Sequence, residues 1–301
     1  MLGQMMHRDL SIIDILKFAS ENHSLSEVVS LRTEGDMHRY NYTDCLSRVC
    51  KLANALVGLG IKKGDRVATL AWNGYRHLEL YYGISGIGAV CHTINPRLSP
   101  EQMLYIIEHA GDRLLFVDTT FVPIIEKLIP KLPKNLVIIV MASSDDSSTL
   151  SDNFLNYEQL ILESSHDIIW PELPENTAAG LCYTSGTTGN PKGALYSHRS
   201  TVLHALTTSL NLGPSLGDGM KVLPVVPLFH VNAWGLPYAA PLTGTSLIFP
   251  GPNLDGASLF DLMDQENVNS AWGVPTVWLG LLDEIRKQAR TPSKFQNVVI
   301  G

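Results

Sequence analysis

Hydrophobic and polar positions along this chain follow two alternating periods. Between 43 and 59, Leu46, Val49, Leu52, Ala53, Leu56 and Val57 recur three and four apart, which predicts a helix. Gly60 follows where a terminating glycine belongs. A polar turn at 62–65 leads into the short apolar run 67–71, which predicts a buried strand. A helical stretch over 75–86 precedes a strand-like run at 89–94. Ser99-Pro100-Glu101 supplies an N-cap serine, a proline at the first helical position and an acid in the first turn, so a helix starts there. Runs at 114–117 and 136–140 predict two more strands, with a helix around 121–130 between them.

The polar stretch 143–148 marks a connection, and a subdomain boundary is expected between it and Pro174. That divides the chain into 1–165 and 166–301. Strands are then expected at 178–184, 222–226, 246–249, 270–274 and 297–300, and helices around 198–210, 254–266 and 276–289. Strands alternating with helices of this length imply an α/β fold with mostly parallel, helix-flanked sheets in two subdomains. The chain stops at Gly301, directly after a strand-like run, so it reads as a fragment truncated before the end of its domain.

Composition narrows the chemistry. An apolar content of 45% and a charged content of 17% describe a globular chain with a substantial core. The net charge of −7, with no Lys/Arg cluster, gives no support for nucleic acid or an anionic membrane as partner. Any anionic ligand must be held by local amides, a metal ion and a few cations. Cys45, Cys50, Cys91 and Cys182 show neither C-x-x-C nor zinc spacing and read as buried free thiols, which fits a reducing, cytoplasmic setting. Charges come too early for a signal peptide, and no apolar run reaches the roughly 18–20 residues of a spanning helix.

The run Tyr183-Thr184-Ser185-Gly186-Thr187-Thr188-Gly189-Asn190-Pro191-Lys192-Gly193 is the most informative stretch. Glycines admit close backbone approach, successive amides form a nest for anions, and hydroxyls and one lysine add donors and charge. This suits a polyphosphate better than a flexible surface turn. It is no Walker A loop, and G-x-G-x-x-G, H-E-x-x-H and G-x-S-x-G are absent. Asp261, Asp264 and Glu266 fit the solvated side of a helix, and His198 fits a helix start better than a metal ligand.

That ordered string resembles the phosphate loop of the adenylate-forming superfamily, which includes acyl-CoA synthetases, luciferases and peptide-synthetase adenylation domains. Segments 60–68 and 95–101 look like the early parts of acyl-CoA synthetases. Pro227-Leu228-Phe229-His230-Val231-Asn232-Ala233-Trp234-Gly235 and Gly273-Val274-Pro275-Thr276-Val277-Trp278 resemble the fatty-acid-activating branch. The opening Met1-Leu2-Gly3-Gln4-Met5-Met6 is similar to a bacterial group of 3-(methylthio)propionyl-CoA ligases.

The resemblance implies a large N-terminal adenylation domain that joins ATP to a carboxylic acid, releases pyrophosphate, and passes the acyl group to CoA with loss of AMP. It places Thr184, Ser185, Gly186, Thr187, Thr188, Gly189 and Lys192 around the β,γ-phosphates, with Thr184 also near magnesium. It brings His230 to the adenylate and acyl carboxylate, makes Trp234 a gate of the acyl channel, and adds Gly301 to the acid site. A lone His/Trp pair would read as core packing; here the two stand four apart, which on a helix gives one face. Thr276 is left between an acyl-site role and plain helix capping. The family's adenine, ribose and catalytic-lysine segments would follow Gly301, so the chain alone is expected to be nearly inactive. The acid is expected to be a medium- or long-chain fatty acid or a short thioether acid, and related enzymes imply a homodimer. Two alternatives stay open: an acyl-AMP ligase or carrier-protein loader that does not use CoA, and a truncated module that binds acid or nucleotide without catalysis.

Overall fold

In the computed structural model, which describes residues 1–301 except Leu2, Met6, 145–153, 185–189 and 213–214, the two periods become two sheets and three layers of helix. The first sheet contains β3 (Arg66–Leu70), β4 (Val90–Thr93), β5 (Asp112–Asp118), β6 (Val137–Met141), β7 (Phe154–Asn156), β8 (Ala178–Thr184) and β9 (Lys192–Ser197). Their order is β7-β6-β5-β3-β4-β8-β9, parallel throughout except for β8 with β9. The second sheet contains β1 (Glu27–Leu31), β2 (Met37–Asn41), β10 (Lys221–Pro224), β11 (Ser246–Phe249), β12 (Ser270–Gly273) and β13 (Asn297–Ile300). Its order is β13-β12-β10-β11-β1-β2, with only β1 and β2 antiparallel.

The expected boundary at 165/166 does not separate these sheets. β8 and β9 follow it in sequence yet complete the first sheet, while β1 and β2 precede it and close the second. β1 pairs in parallel with β11 and β4 with β8, neighbours far apart in sequence, so sheet membership here does not follow a cut along the chain. Most of the polar stretch 143–148 lies outside the described residues.

Helices α1 (Ile12–Asn22), α2 (Tyr42–Gly58), α3 (Tyr75–Gly86) and α8 (Leu236–Thr243) occupy the space between the sheets. Their apolar residues share one core with Val67 and Phe116 of the first sheet and Val222, Phe249 and Trp272 of the second. α4 (Pro100–Ala110) and α5 (Val122–Leu128) cover the outer face of the first sheet, and α9 (Gly256–Gln265) and α10 (Pro275–Gln288) that of the second. α6 (Tyr157–Glu163) and α7 (His198–Asn211) complete the helices. α4 begins as expected, with a full capping box between Ser99 and Gln102.

α3 lies between both sheets, and all twelve of its residues are buried. A buried helix is normally apolar, yet this one carries Arg76, His77 and Glu79, so each needs partners. Arg48 Nε donates to Glu79 at 2.7 Å, and Arg76 pairs with Glu34 and Glu158 at 2.8 Å each. His77 Nε2 lies 2.9 Å from the Thr69 hydroxyl, and burial holds its pKa down to about 4.

Two sequence expectations need correction here. Glu266 is not on a solvated face: it is 4% exposed and takes a bidentate pair from Arg39 of β2 at 2.8 Å. Cys45, Cys91 and Cys182 are buried free thiols, but Cys50 is only half-buried. His198 does open α7, just after its Ser197 cap.

Candidate active site

Thr184, His230, Trp234, Thr276 and Gly301 stand at or beyond the carboxyl ends of β8, β10, β12 and β13, the edge where open α/β sheets receive ligands. β8 and β9 form a hairpin in which Thr184 sits directly opposite Lys192. The Thr184 hydroxyl donates to Lys192 O at 3.4 Å, and both residues are exposed. Ser185, Gly186, Thr187, Thr188 and Gly189 lie between them and outside the described residues. Behind this mouth, Tyr183 Oη lies 2.6 Å from His109 Nδ1 of α4.

The segment after β10 departs from expectation. His230 is extended, and Val231, Asn232, Ala233 and Trp234 then all have positive φ, 49°, 49°, 47° and 54°, ending at Gly235 with φ 79°. His230 and Trp234 therefore do not share the face of a right-handed helix; His230 precedes a left-handed turn and Trp234 lies within it. Such a conformation costs roughly 1–2 kcal/mol for each non-glycine residue, so the surroundings must impose it. Gly235 has no alternative, since a Cβ there would meet His204 Nδ1 at 2.5 Å. α8 then starts at once with Leu236-Pro237.

Polar groups from the first sheet and from α3 hold the segment in place. Asn73, in the loop after β3, donates to Pro224 O at 2.7 Å and Val226 O at 2.9 Å and accepts from Leu228 N at 2.7 Å. Tyr81 of α3 donates to Leu228 O, and Thr93 at the end of β4 donates to Phe229 O at 3.4 Å. Asn232 Oδ1 lies 3.2 Å from Tyr81 Oη and 3.5 Å from Cys182 Sγ. Burial raises the Cys182 pKa, while the Thr93 hydroxyl and the backbone N–H groups of Asn232 and Val231 oppose that shift. Cys182 is two residues from Thr184, so the strand that feeds the glycine-rich loop also touches the turn. Neither Asn73 nor Asn232 carries a signal in the sequence, because an asparagine beside a glycine or inside an apolar string reads as a turn residue. Only the cross-sheet contacts give them a task.

On the far side of the turn, Gly301 lies against the Trp234 indole: a Cβ on Gly301 would come within 2.8 Å of it. Gly273 pairs with Ile300, which sets the start of α10 beside Gly301. Thr276 is exposed at the second position of α10, and the cap is Val274, so the hydroxyl is not the capping group. The structure thus brings Trp234 and Gly301 into contact and connects the turn to β8.

The family model described as AMP-binding enzyme matches residues 18–301. The chain is 49% identical over 305 residues to a medium-chain-fatty-acid–CoA ligase of Ectopseudomonas oleovorans, covering 100% of this chain and 55% of that protein. It is 45% identical over 304 residues to a 3-methylmercaptopropionyl-CoA ligase of Ruegeria pomeroyi, covering 100% and 56%. Among solved structures, anthranilate CoA ligase AuaEII in complex with anthranoyl-AMP superposes with a TM-score of 0.86 at 22% identity, over 100% of this chain and 56% of that one. At that identity the likeness speaks for the fold. The chain spans about half the length of the curated relatives it matches.

Proposed function

Because this chain belongs to the AMP-binding enzyme family, we propose that it supplies the phosphate-binding and acid-binding parts of an AMP-forming acyl-CoA ligase. The observation that carries this reading is the contact of Asn232 with Cys182, which joins the strand feeding the phosphate loop to the turn bearing His230 and Trp234. A polyphosphate site at the end of β8 in the first sheet and an acid site beyond β10 of the second then lie side by side. The relatives' names, a fatty-acid ligase at 49% and a thioether-acid ligase at 45%, supply the substrate class.

In the reaction proposed, a carboxylate oxygen attacks the α-phosphorus of ATP. The bond to the β-phosphate breaks, and pyrophosphate leaves with the displaced charge. Attack by the CoA thiol on the acyl carbon then releases AMP. The first step needs positioning and preorganised positive charge more than covalent help from the protein. Lys192, exposed at the loop mouth, places a point charge on the β,γ-phosphates, with 184–189 supplying hydroxyls and amides. Magnesium, when bound, offsets phosphate charge. Thr184, exposed at the loop mouth, would offer it one hydroxyl oxygen beside the phosphates and waters. His230 approaches the acid carboxylate, Trp234 and Gly301 border the acyl channel, and Thr276 stands at its rim.

None of the described helices is long and apolar enough to cross a membrane. A cytoplasmic homodimer is part of the proposal.

The test is product analysis with the purified full-length protein, ATP, magnesium and a series of acids, with and without CoA. Acyl-CoA and pyrophosphate from medium- or long-chain fatty acids support the reading. A preference for 3-methylmercaptopropionate moves the substrate to the short thioether acid, which the 45% relative favours. Pyrophosphate without thioester indicates an acyl-AMP ligase, and acid binding without pyrophosphate a non-catalytic module.

A further inference from the structure

Four successive residues of the acid-site turn, Val231 to Trp234, hold a backbone conformation that L-residues avoid, and of these only asparagine tolerates it readily. That tolerance alone would explain an asparagine at position 232. Its side chain, however, is turned into the protein. Oδ1 faces Tyr81 Oη at 3.2 Å and Cys182 Sγ at 3.5 Å, and Nδ2 lies 3.8 Å from where a Cβ on Gly180 would stand. One side chain thus reaches α3 at Tyr81 and β8 at Cys182, while His230 before the turn and Trp234 at its end carry the imidazole and indole of the acid site.

We propose that Asn232 is a positioning residue for acid activation. It pins the left-handed turn to β8 and α3 and so fixes where His230 and Trp234 stand relative to the phosphate loop. This rests on the function proposed above. The alternative, that Asn232 is present only for its backbone preference, makes the opposite prediction for one substitution. Glycine adopts the left-handed region more easily than asparagine but has no side chain to pin. Aspartate tolerates the region and keeps an Oδ1 acceptor for both Tyr81 and Cys182.

The experiment compares Asn232→Gly and Asn232→Asp with the unmodified protein by steady-state kinetics and by hydrogen–deuterium exchange over 228–236. Asn232→Gly should raise the KM for the acid about fivefold, the equivalent of one net hydrogen bond, and broaden the acyl chain-length profile. The KM for ATP should stay within about twofold, because Lys192 and Thr184 are untouched. Exchange in 228–236 should quicken by a similar factor, and Asn232→Asp should restore both measures. Equal acid KM and equal exchange in Asn232→Gly and the unmodified protein would overturn the proposal. If the unmodified full-length protein releases no pyrophosphate with any acid, the proposed function fails, and the exchange comparison still decides whether Asn232 is a pin.

Discussion

Gly301 packs against the indole of Trp234 so closely that a single added carbon would lie 2.8 Å from the ring. The contact joins the end of β13 to the turn after β10, two segments more than sixty residues apart in sequence and separated in the sheet by β12. It leaves the indole one wall of glycine, where any side chain would displace it. Trp234→Ala should therefore change the acyl chain-length preference, and Gly301→Ala should raise the KM for the acid by moving the indole. Kinetics across a series of acids from short to long checks both. Substrate profiles identical to the unmodified protein in both variants would remove this contact from the acid site.

Lys192 is exposed opposite Thr184, so its removal should spare the fold. Lys192→Ala is expected to shift stability by less than about 0.5 kcal/mol, as for other surface changes. Pyrophosphate release should fall by about 100-fold, the typical loss of a preorganised charge at a reacting group. Pyrophosphate exchange beside a thermal melt makes the comparison, and an unchanged rate at saturating ATP would take Lys192 out of the phosphate site.

Asp118, at the end of β5, is buried, and burial lifts its carboxyl to about 7 despite the N–H of Trp72 at 2.6 Å. Its ordinary value is about 3.9. Between those values the folded chain keeps a proton that the unfolded chain has released, so this group's contribution to stability is lost as pH rises toward 7. Asp118→Asn keeps an oxygen for Trp72 and removes the titration. The variant's Tm, relative to the unmodified protein, should therefore climb between about pH 4 and about pH 7 and level off above that. A difference that stays flat across that range contradicts this account of Asp118.

Glu79 is fully buried and holds Arg48 through Nε at 2.7 Å and the Tyr157 hydroxyl at 2.5 Å. Glu79→Ala leaves the Arg48 guanidinium facing a gap, with Glu158 as its remaining carboxylate. The expected loss is about 3–5 kcal/mol, as when one partner of a buried pair is removed. Urea denaturation measures it. A loss below about 1 kcal/mol would mean that this pair is no more than an exposed one.

Local chemistry was written in the chain. The helices at 43–59, 75–86 and 100–110 and the strands at 178–184, 246–249 and 297–300 follow from apolar spacing and caps, which depend on neighbours a few residues away. The proposed phosphate role of the string 183–193 rests on its composition and order alone. What the sequence could not specify is everything set by long-range contact. β1 and β2 join the second sheet, and β8 and β9 the first, because parallel pairing links distant segments. β2 is half polar, α8 contains Pro237 and Pro241, and β9 holds Gly193; each is stabilised by partners rather than by its own pattern. The left-handed turn at Val231–Gly235 is the sharpest case. The spacing of His230 and Trp234 would give one face only on a helix, and the side chains of Val231, Ala233 and Trp234 oppose the left-handed conformation found. Tyr81 and Cys182 contact the turn at Asn232, while Asn73 and Thr93 fix the segment that leads into it, and all four reach it from other parts of the chain.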